Sequence, residues 1–342
     1  MFAVGFAIKL DTTEDPASGD GGIVWAKQFD GYPRGTAVTG ADADASGNMV
    51  VSVSECVVGT APELYYGQPT GRMASACTYS LRKLRSADGE VLWNVGYSSA
   101  VSLGTVRASV DGSVYVIGTV TGSDVAIGDT NVSSETDSND ASVSSVLLFK
   151  VNGTDGATTW AKAFGAGSGG DMDLSKDGSK LVLTGSLDAT TVDGVAIGGS
   201  DFGSYSSFVA EADPSTNQLQ WAIVMPWLRG IEVTDDSNYV AVYGQTTGDS
   251  STYTFTDTGG RPITLRSRGS YDIFVAYLNA ADGTGVWAID GGGDNMEYFL
   301  GMGMSDDGGI YVSGCVAAPF SSRPHHASAS AVRRSTSSHA RV

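Results

Sequence analysis

An all-β chain, built by serial repetition of a four-stranded antiparallel sheet, is predicted by three observations. Tryptophan recurs at Trp25, Trp93, Trp160, Trp221 and Trp287, at intervals of 68, 67, 61 and 66 residues. Asp-Gly pairs recur between short runs rich in Val, Ile, Thr and aromatic residues, at 88–89, 111–112, 155–156, 177–178, 282–283 and 307–308. No amphipathic helix pattern of any length interrupts them. Self-similarity at a fixed period sets the architecture before any single residue is interpreted. Four antiparallel strands repeated in series make a β-propeller, one sheet per blade.

The copy that begins near Leu103 shows the elements in order. Its first strand is GTVRASVDG, ending at Asp111-Gly112, and its second is SVYVIG, ending at Gly118. Asp-Gly between two strands signals a tight hairpin, because the turn needs positive φ and Gly supplies it cheaply. The third strand, SVLLFKVN, recurs along the chain as FAIKLD, YSLRKL, FVAEAD and FVAYLN. The fourth, ATTWAKAF, carries the tryptophan. Ten residues before four of the five tryptophans stands a landmark, Lys83, Lys150, Glu211 or Tyr277; in the first copy it is Lys9.

The usual blade period is about 40–50 residues. Here the extra length lies between strands two and three. The chain begins with strands three and four of one copy and ends with strands one and two of another. Two arrangements follow: a ring of about five repeats of about 65 residues closed by a shared 2+2 blade, or a fragment of a larger propeller.

The repeats span 1–318. The 342-residue chain carries a formal charge of −18, and the region from Ser321 onward holds four Arg, all three His and no acid. That segment, 319–342, lacks apolar periodicity and is expected to be a disordered or spurious basic tail. An acidic body disfavours nucleic acid as a partner. No apolar run is long enough for a transmembrane helix. Met1–Leu10 lacks a basic start and a cleavage site, and begins inside a strand pattern, as expected where a true start is missing. Cys56 and Cys77 flank one loop; they either pair, as in a secreted protein, or remain two thiols.

Three segments, SADGEVLWNV, NGTDGATTWAKAF and AADGTGVWAI, resemble the tryptophan-docking repeat of quinoprotein-type propellers. Residues 190–213, TTVDGVAIGGSDFGSYSSFVAEAD, resemble the bacterial β-propeller repeat family. The resemblance implies that all five tryptophans are structural, each docking on the neighbouring blade. It also implies a choice of functions, since such families include quinone-dependent dehydrogenases, assembly scaffolds and surface proteins.

Residues for chemistry are scarce. His is absent before the tail, which removes a Ser-His-Asp site or a His-ligated zinc from the body. A quinone-dependent dehydrogenase needs a clustered acid, Asn and Glu in one departing blade, and none carries over. The run from Asp42 to Asn48 resembles the start of a calcium loop, but the closing carboxylate position is Val53. Asn131–Ser133 and Asn152–Thr154 are glycosylation sequons. No catalytic residue, metal ligand or cofactor is assigned.

Variable loops on a rigid frame are the expected binding surface. Strand direction places the loops near 55–78, 120–144, 187–206 and 246–270 on the same face as the blade-to-blade segments. Tyr65, Tyr66, Trp227, Arg229, Arg261, Arg266 and Arg268 are the binding candidates; Trp227 is the one Trp out of register. The expected function is a non-enzymatic scaffold, extracellular, cell-surface or periplasmic, that presents loops to a protein or glycan. The alternatives are a quinoprotein-like oxidoreductase and a structural fragment of a larger surface protein.

Overall fold

The computed structural model describes residues 5–10, 23–29, 34–57, 64–65, 68–69, 77–136, 141–187, 191–192, 195–196, 207–248, 252–305, 308–315 and 321–326. The chain divides into two compact units, Met1–Phe164 and Gly165–Val342. Among the described residues there is no helix.

In the first unit, among the described residues, β1 (Gly5–Leu10) pairs only with β2 (Ile23–Phe29). A four-stranded antiparallel sheet follows, ordered β3 (Arg34–Ala43), β4 (Met49–Val57), β7 (Cys77–Leu84), β8 (Val91–Tyr97), with the two-residue strands β5 (Leu64–Tyr65) and β6 (Gln68–Pro69) between. The next copy has β9 (Val101–Ala108), β10 (Ser113–Val120) and β13 (Ser145–Asn152) in that order, with a small hairpin of β11 (Val125–Ile127) and β12 (Thr130–Val132). The long strand β14 (Thr158–Leu174) completes this sheet with its first half.

In the second unit the other half of β14 starts a sheet with β15 (Leu181–Leu187), β18 (Ser207–Ala212) and β19 (Leu219–Met225), and a short hairpin of β16 (Thr191–Val192) and β17 (Val195–Ala196). Then come β20 (Trp227–Val233), β21 (Tyr239–Thr247), β24 (Tyr271–Asn279) and β25 (Gly285–Gly292), with the hairpin β22 (Thr252–Thr256) and β23 (Pro262–Arg266). A two-stranded sheet of β26 (Tyr298–Met304) and β27 (Ile310–Cys315) follows, and β28 (Ser321–His326) pairs antiparallel with β25.

Register explains the sequence landmarks. The residue ten before a tryptophan is its cross-strand partner: Lys83↔Trp93, Glu211↔Trp221 and Tyr277↔Trp287, with Lys9↔Trp25 across the longer first loop. A bulge follows that partner each time, and another recurs between the first two strands at Val38/Gly40, Val116/Gly118, Leu228/Gly230 and Phe299/Gly301. Repeated bulges at one position impose the same added twist on every sheet.

Tryptophans lock consecutive copies. The indole Nε1–H of Trp25 donates to the Ser86 carbonyl, that of Trp93 to Gly153 and that of Trp221 to Ala280, each at 3.0 Å. All three indoles are buried, and each carbonyl lies in the turn after the next copy's third strand. Gly283 has φ +71° there, and a Cβ on it would meet the Trp221 ring at 2.5 Å, so only glycine fits the turn over the indole. Lys83, also buried, donates to the same Gly153 carbonyl and pairs with Asp44 at 2.7 Å. Trp160 is half-buried against Tyr115, and Trp287 stacks on Tyr277 at 5.3 Å.

Three expectations need correction. Among the described residues no sheet closes, and β1–β2 and β26–β27 are each separate two-stranded sheets. The first part of the expected tail is ordered as β28, whose backbone adds to the open edge of β25; a strand can be recruited this way without apolar periodicity. Two of the insertions between strands two and three, β11–β12 and β22–β23, are not free loops. Val125, Ile127 and Val132 of β11–β12 are buried in the core of their sheet, as are Tyr253, Ile263 and Leu265 of β22–β23. Each apolar set follows the period-two alternation that turns one hairpin face inward.

Cys56 and Cys77 are directly opposed across β4 and β7, both buried, and form a disulfide.

Candidate functional site

One end of the β20-β21-β24-β25 sheet departs from the other copies. There β20 begins, β21 ends, β24 begins and β25 ends, so four strand termini converge, as strand alternation predicts. Trp227 and Gln245 are cross-strand partners at this end, and Thr246 faces Asp272. Arg229, two residues after Trp227, is the unpaired residue of the Leu228/Gly230 bulge.

The Arg229 guanidinium sits 3.8 Å from the Trp227 ring centroid. Its Nε and Nη2 both donate to Gln245 Oε1, at 3.0 and 2.9 Å. Gln245 Nε2 in turn donates to the Glu297 carbonyl at 2.6 Å. The Tyr271 ring lies 6.4 Å from that of Trp227. Burial pulls Arg229 below its ordinary pKa, against the opposing influence of Tyr243, Tyr298 and Tyr271. Burial also pushes Tyr243 up to about 12, helped by Asp171 and Glu232. Trp227, Arg229, Tyr271 and Tyr298 stay partly exposed, and Met296 is exposed beside them. The result is an aromatic and methionine surface with one guanidinium held over the Trp227 ring.

Beneath this surface lies a charged layer. Asp272, Asp290 and Glu297 are each no more than 1% exposed. Arg268 Nη2 pairs with Asp290 Oδ1 at 2.8 Å, and the Arg268 backbone N–H donates to Asp272 Oδ2. The Arg266 N–H donates to Asp290 Oδ2 at 3.0 Å, while its side chain is exposed. Arg268 thus serves as a counter-ion to Asp290.

The other candidates fall elsewhere. Arg261 lies at the tip of β22–β23, where its N–H donates to Asp257 Oδ1; Asp257 bridges to Gly285 at the other end of the sheet. Tyr65 lies in β5 opposite Gln68, and Tyr66 lies outside the described residues. A cavity of about 450 Å³ opens at the turn end of the second unit, lined by Lys180, Glu211, Asp213 and Gln220 among others. Glu211 replaces the lysine of other copies and pairs with Lys180 at 2.6 Å. Among the described residues no three His, Cys, Asp or Glu side chains converge as a metal centre, and no helix is long and apolar enough to cross a membrane. The candidates Trp227 and Arg229 meet at this end with Gln245, Tyr271, Asp272 and Glu297, which the sequence reading did not name. Their one signal was that Asp272 and Gln245 stand where other copies carry small neutral residues.

Serial antiparallel meanders, three of which receive the preceding copy's tryptophan under a turn, set the fold type. The repeat is of the β-propeller type.

No family model matches the chain, and no curated protein does. Among solved structures, the quinohemoprotein alcohol dehydrogenase ADHIIG from Pseudomonas putida HK5 is similar over 91% of this chain and 53% of its own, at 9% identity and a TM-score of 0.45. The Dos1 propeller is similar over 84% and 91%, at 7% identity and 0.32. The Cps50 (Swd1) β-propeller domain of Myceliophteria thermophila is similar over 84% and 87%, at 7% identity and 0.36. This chain therefore spans about half the length of the dehydrogenase. Likenesses this distant carry nothing about what the chain does.

Proposed function

We propose that this chain is a non-enzymatic binding module of four-stranded propeller blades, and that it engages a protein or glycan through the Trp227–Arg229 face. The observation that supports this reading is the fixed Trp227–Arg229–Gln245 arrangement at 2.9–3.8 Å, backed by Tyr271. Aromatic and arginine side chains held in one conformation lose little entropy on binding and dominate interface energetics. The Cys56–Cys77 disulfide supports an oxidising, extracytoplasmic setting.

The test is a titration of the full chain with a panel of oligosaccharides and synthetic peptides, followed by tryptophan fluorescence. A ligand whose affinity falls at least about tenfold in both Trp227→Ala and Arg229→Ala supports the reading. A ligand indifferent to both variants would move the site elsewhere. Dye-linked oxidation of an alcohol or sugar after addition of quinone and Ca²⁺ would replace the module with an oxidoreductase.

A further inference from the structure

We propose that the Arg229 guanidinium is a receptor for a single carboxylate on a peptide partner, with an apolar side chain of that partner packed on Trp227 and Met296. This rests on the Trp227–Arg229 face being a binding surface and names the chemistry of its ligand. Arg229 is the unpaired residue of the Leu228/Gly230 bulge, and bulges re-aim side chains. A guanidinium carries five N–H donors in a rigid fork. On Arg229, Nε–H and one Nη2–H converge on Gln245 Oε1, at 3.0 and 2.9 Å. Gln245 is only 1% exposed, and its Nε2 donates to the Glu297 carbonyl at 2.6 Å, which holds the amide with its oxygen towards Arg229. One edge of the fork is thereby locked. The other edge, both Nη1–H and the remaining Nη2–H, has no hydrogen-bond partner among the described residues.

Charge is equally one-sided here. Arg82, Arg85 and Arg268 each pair with a carboxylate at 2.5–3.1 Å, whereas among the described residues no carboxylate pairs with Arg229. Burying a cation without a counter-ion is unfavourable, and burial pulls Arg229 below its ordinary pKa. A carboxylate brought by a partner supplies the counter-ion. The remaining edge presents parallel N–H donors, the arrangement that takes a carboxylate through both oxygens. The formal charge of −18 opposes a polyanion, so the fork selects one acid rather than a charged run. The surroundings favour a peptide over a sugar. A sugar stacks on an open aromatic face, but the guanidinium lies over the Trp227 ring at 3.8 Å. Beside it Met296 is 39% exposed, bridged to Tyr271 through the backbone and bonded by the Tyr298 hydroxyl at 3.5 Å. Thioether and aromatic surfaces of this kind adapt to apolar peptide side chains.

The full chain is titrated with acetylated, amidated hexapeptides that set one Glu beside Leu, Met or Phe in an alanine background, and with the same peptides carrying Gln. The Gln peptides with an unblocked C-terminal carboxylate form a third set, which separates a side-chain acid from a chain end. Glu peptides or the third set should bind at least about tenfold more tightly than the amidated Gln peptides. That comparison is made on the native chain and needs no variant. Arg229→Lys keeps the charge but loses the fork, and should cut the preference to about threefold or less; Arg229→Gln should abolish it. Trp227→Ala should weaken acid and amide peptides alike. Equal affinity of acid and amide peptides, both lost in Trp227→Ala, overturns the carboxylate receptor and leaves the face as a binding surface. Acid peptides that bind as tightly to Trp227→Ala and Arg229→Gln as to the native chain overturn both. A uronic-acid trisaccharide that binds where no peptide does, up to about 1 mM, assigns the fork to a glycan and overturns the peptide partner.

Discussion

The β9-β10-β13-β14 sheet of the first unit and the β20-β21-β24-β25 sheet of the second are the same at one end and different at the other. At the turn end both receive an indole from the preceding copy, Trp93 on Gly153 and Trp221 on Ala280, at an identical 3.0 Å. At the opposite end, register aligns Ser102 with Trp227, Thr119 with Gln245, and Ser145 with Asp272. The first-unit end is neutral and internally satisfied; Ser145 Oγ, for instance, accepts the Glu135 N–H at 2.7 Å. The second-unit end replaces those small groups with an aromatic, an amide and a carboxylate. Assembly needs the shared end to stay constant, and any recognition unique to one copy must come from the end that varies.

Trp93→Ala and Trp221→Ala should produce the largest effect. Each removes a buried indole and its hydrogen bond, at a cost of about 3–5 kcal/mol in chemical denaturation. Near-equal losses would confirm that the two turn ends are equivalent, and losses differing by more than about 2 kcal/mol would break the comparison. Next comes the disulfide. Cys56 and Cys77 close the base of the second copy's insertion, where register places Thr247 and Tyr271 in the fifth. Reduction, or Cys56→Ala with Cys77→Ala, should cost about 2–4 kcal/mol in the first unit. Ligand binding at Trp227 should be unchanged, and a loss of binding on reduction would count against locating it in the second unit.

The constant end was legible in the sequence because local rules write it. Lys83 stands ten before Trp93 because the two are register partners across one tight hairpin, and Asp-Gly marks the turn because Gly156 and Gly283 need positive φ. The varying end was only half legible. Trp227 and Arg229 lie two residues apart on one strand, so the chain itself shows them as neighbours. Gln245, Asp272 and Glu297 come from different strands and meet only when β21, β24 and the exit of β25 align, so no spacing in the chain reports them. The hairpins β11–β12 and β22–β23 were read as loops because strands of three to five residues among Gly, Ser and Thr give too short an alternation. Strand β28 carries no pattern at all; its pairing with β25 is a matter of backbone.

A direct exchange sharpens the contrast. Asp272→Ser installs the first-unit residue at the second-unit position and removes a buried charge. Stability should rise by about 1–2 kcal/mol, read as a higher denaturant midpoint with unchanged slope, because the buried Asp272 Oδ1 lacks a hydrogen-bond partner among the described residues. A fall of similar size would mean that the Arg268 N–H bond to Asp272 matters more than charge relief.

The smallest expected effect concerns pH and the turn ends themselves. In the first unit Lys150 pairs with Asp111 at 3.3 Å and lies 5.0 Å from the Tyr115 ring centroid; in the second, the aligned Tyr277 stacks between Tyr239 and Trp287 without a charge. Partial burial alone would raise Asp111, but hydrogen bonds from Ser113 and Ser109 and the Lys150 charge hold it below its usual 3.8. A depressed carboxylate contributes stability above its unfolded pKa and loses it as pH falls through the folded value. Lys150→Met should therefore cost about 0.5 kcal/mol or less near neutrality, Asp111 being largely exposed, and that difference should fade below about pH 4. Tyr277 behaves oppositely. Burial, with Asp236 and Tyr239 nearby, pushes it up to about 12, so its contribution is complete below pH 10 and lost as pH rises through the folded value. Tyr277→Phe should match the native chain in acid and differ from it only in alkali. Denaturant midpoints across the pH range separate the two variants, and an acid-limb change in Tyr277→Phe would show that its turn end is not the uncharged one.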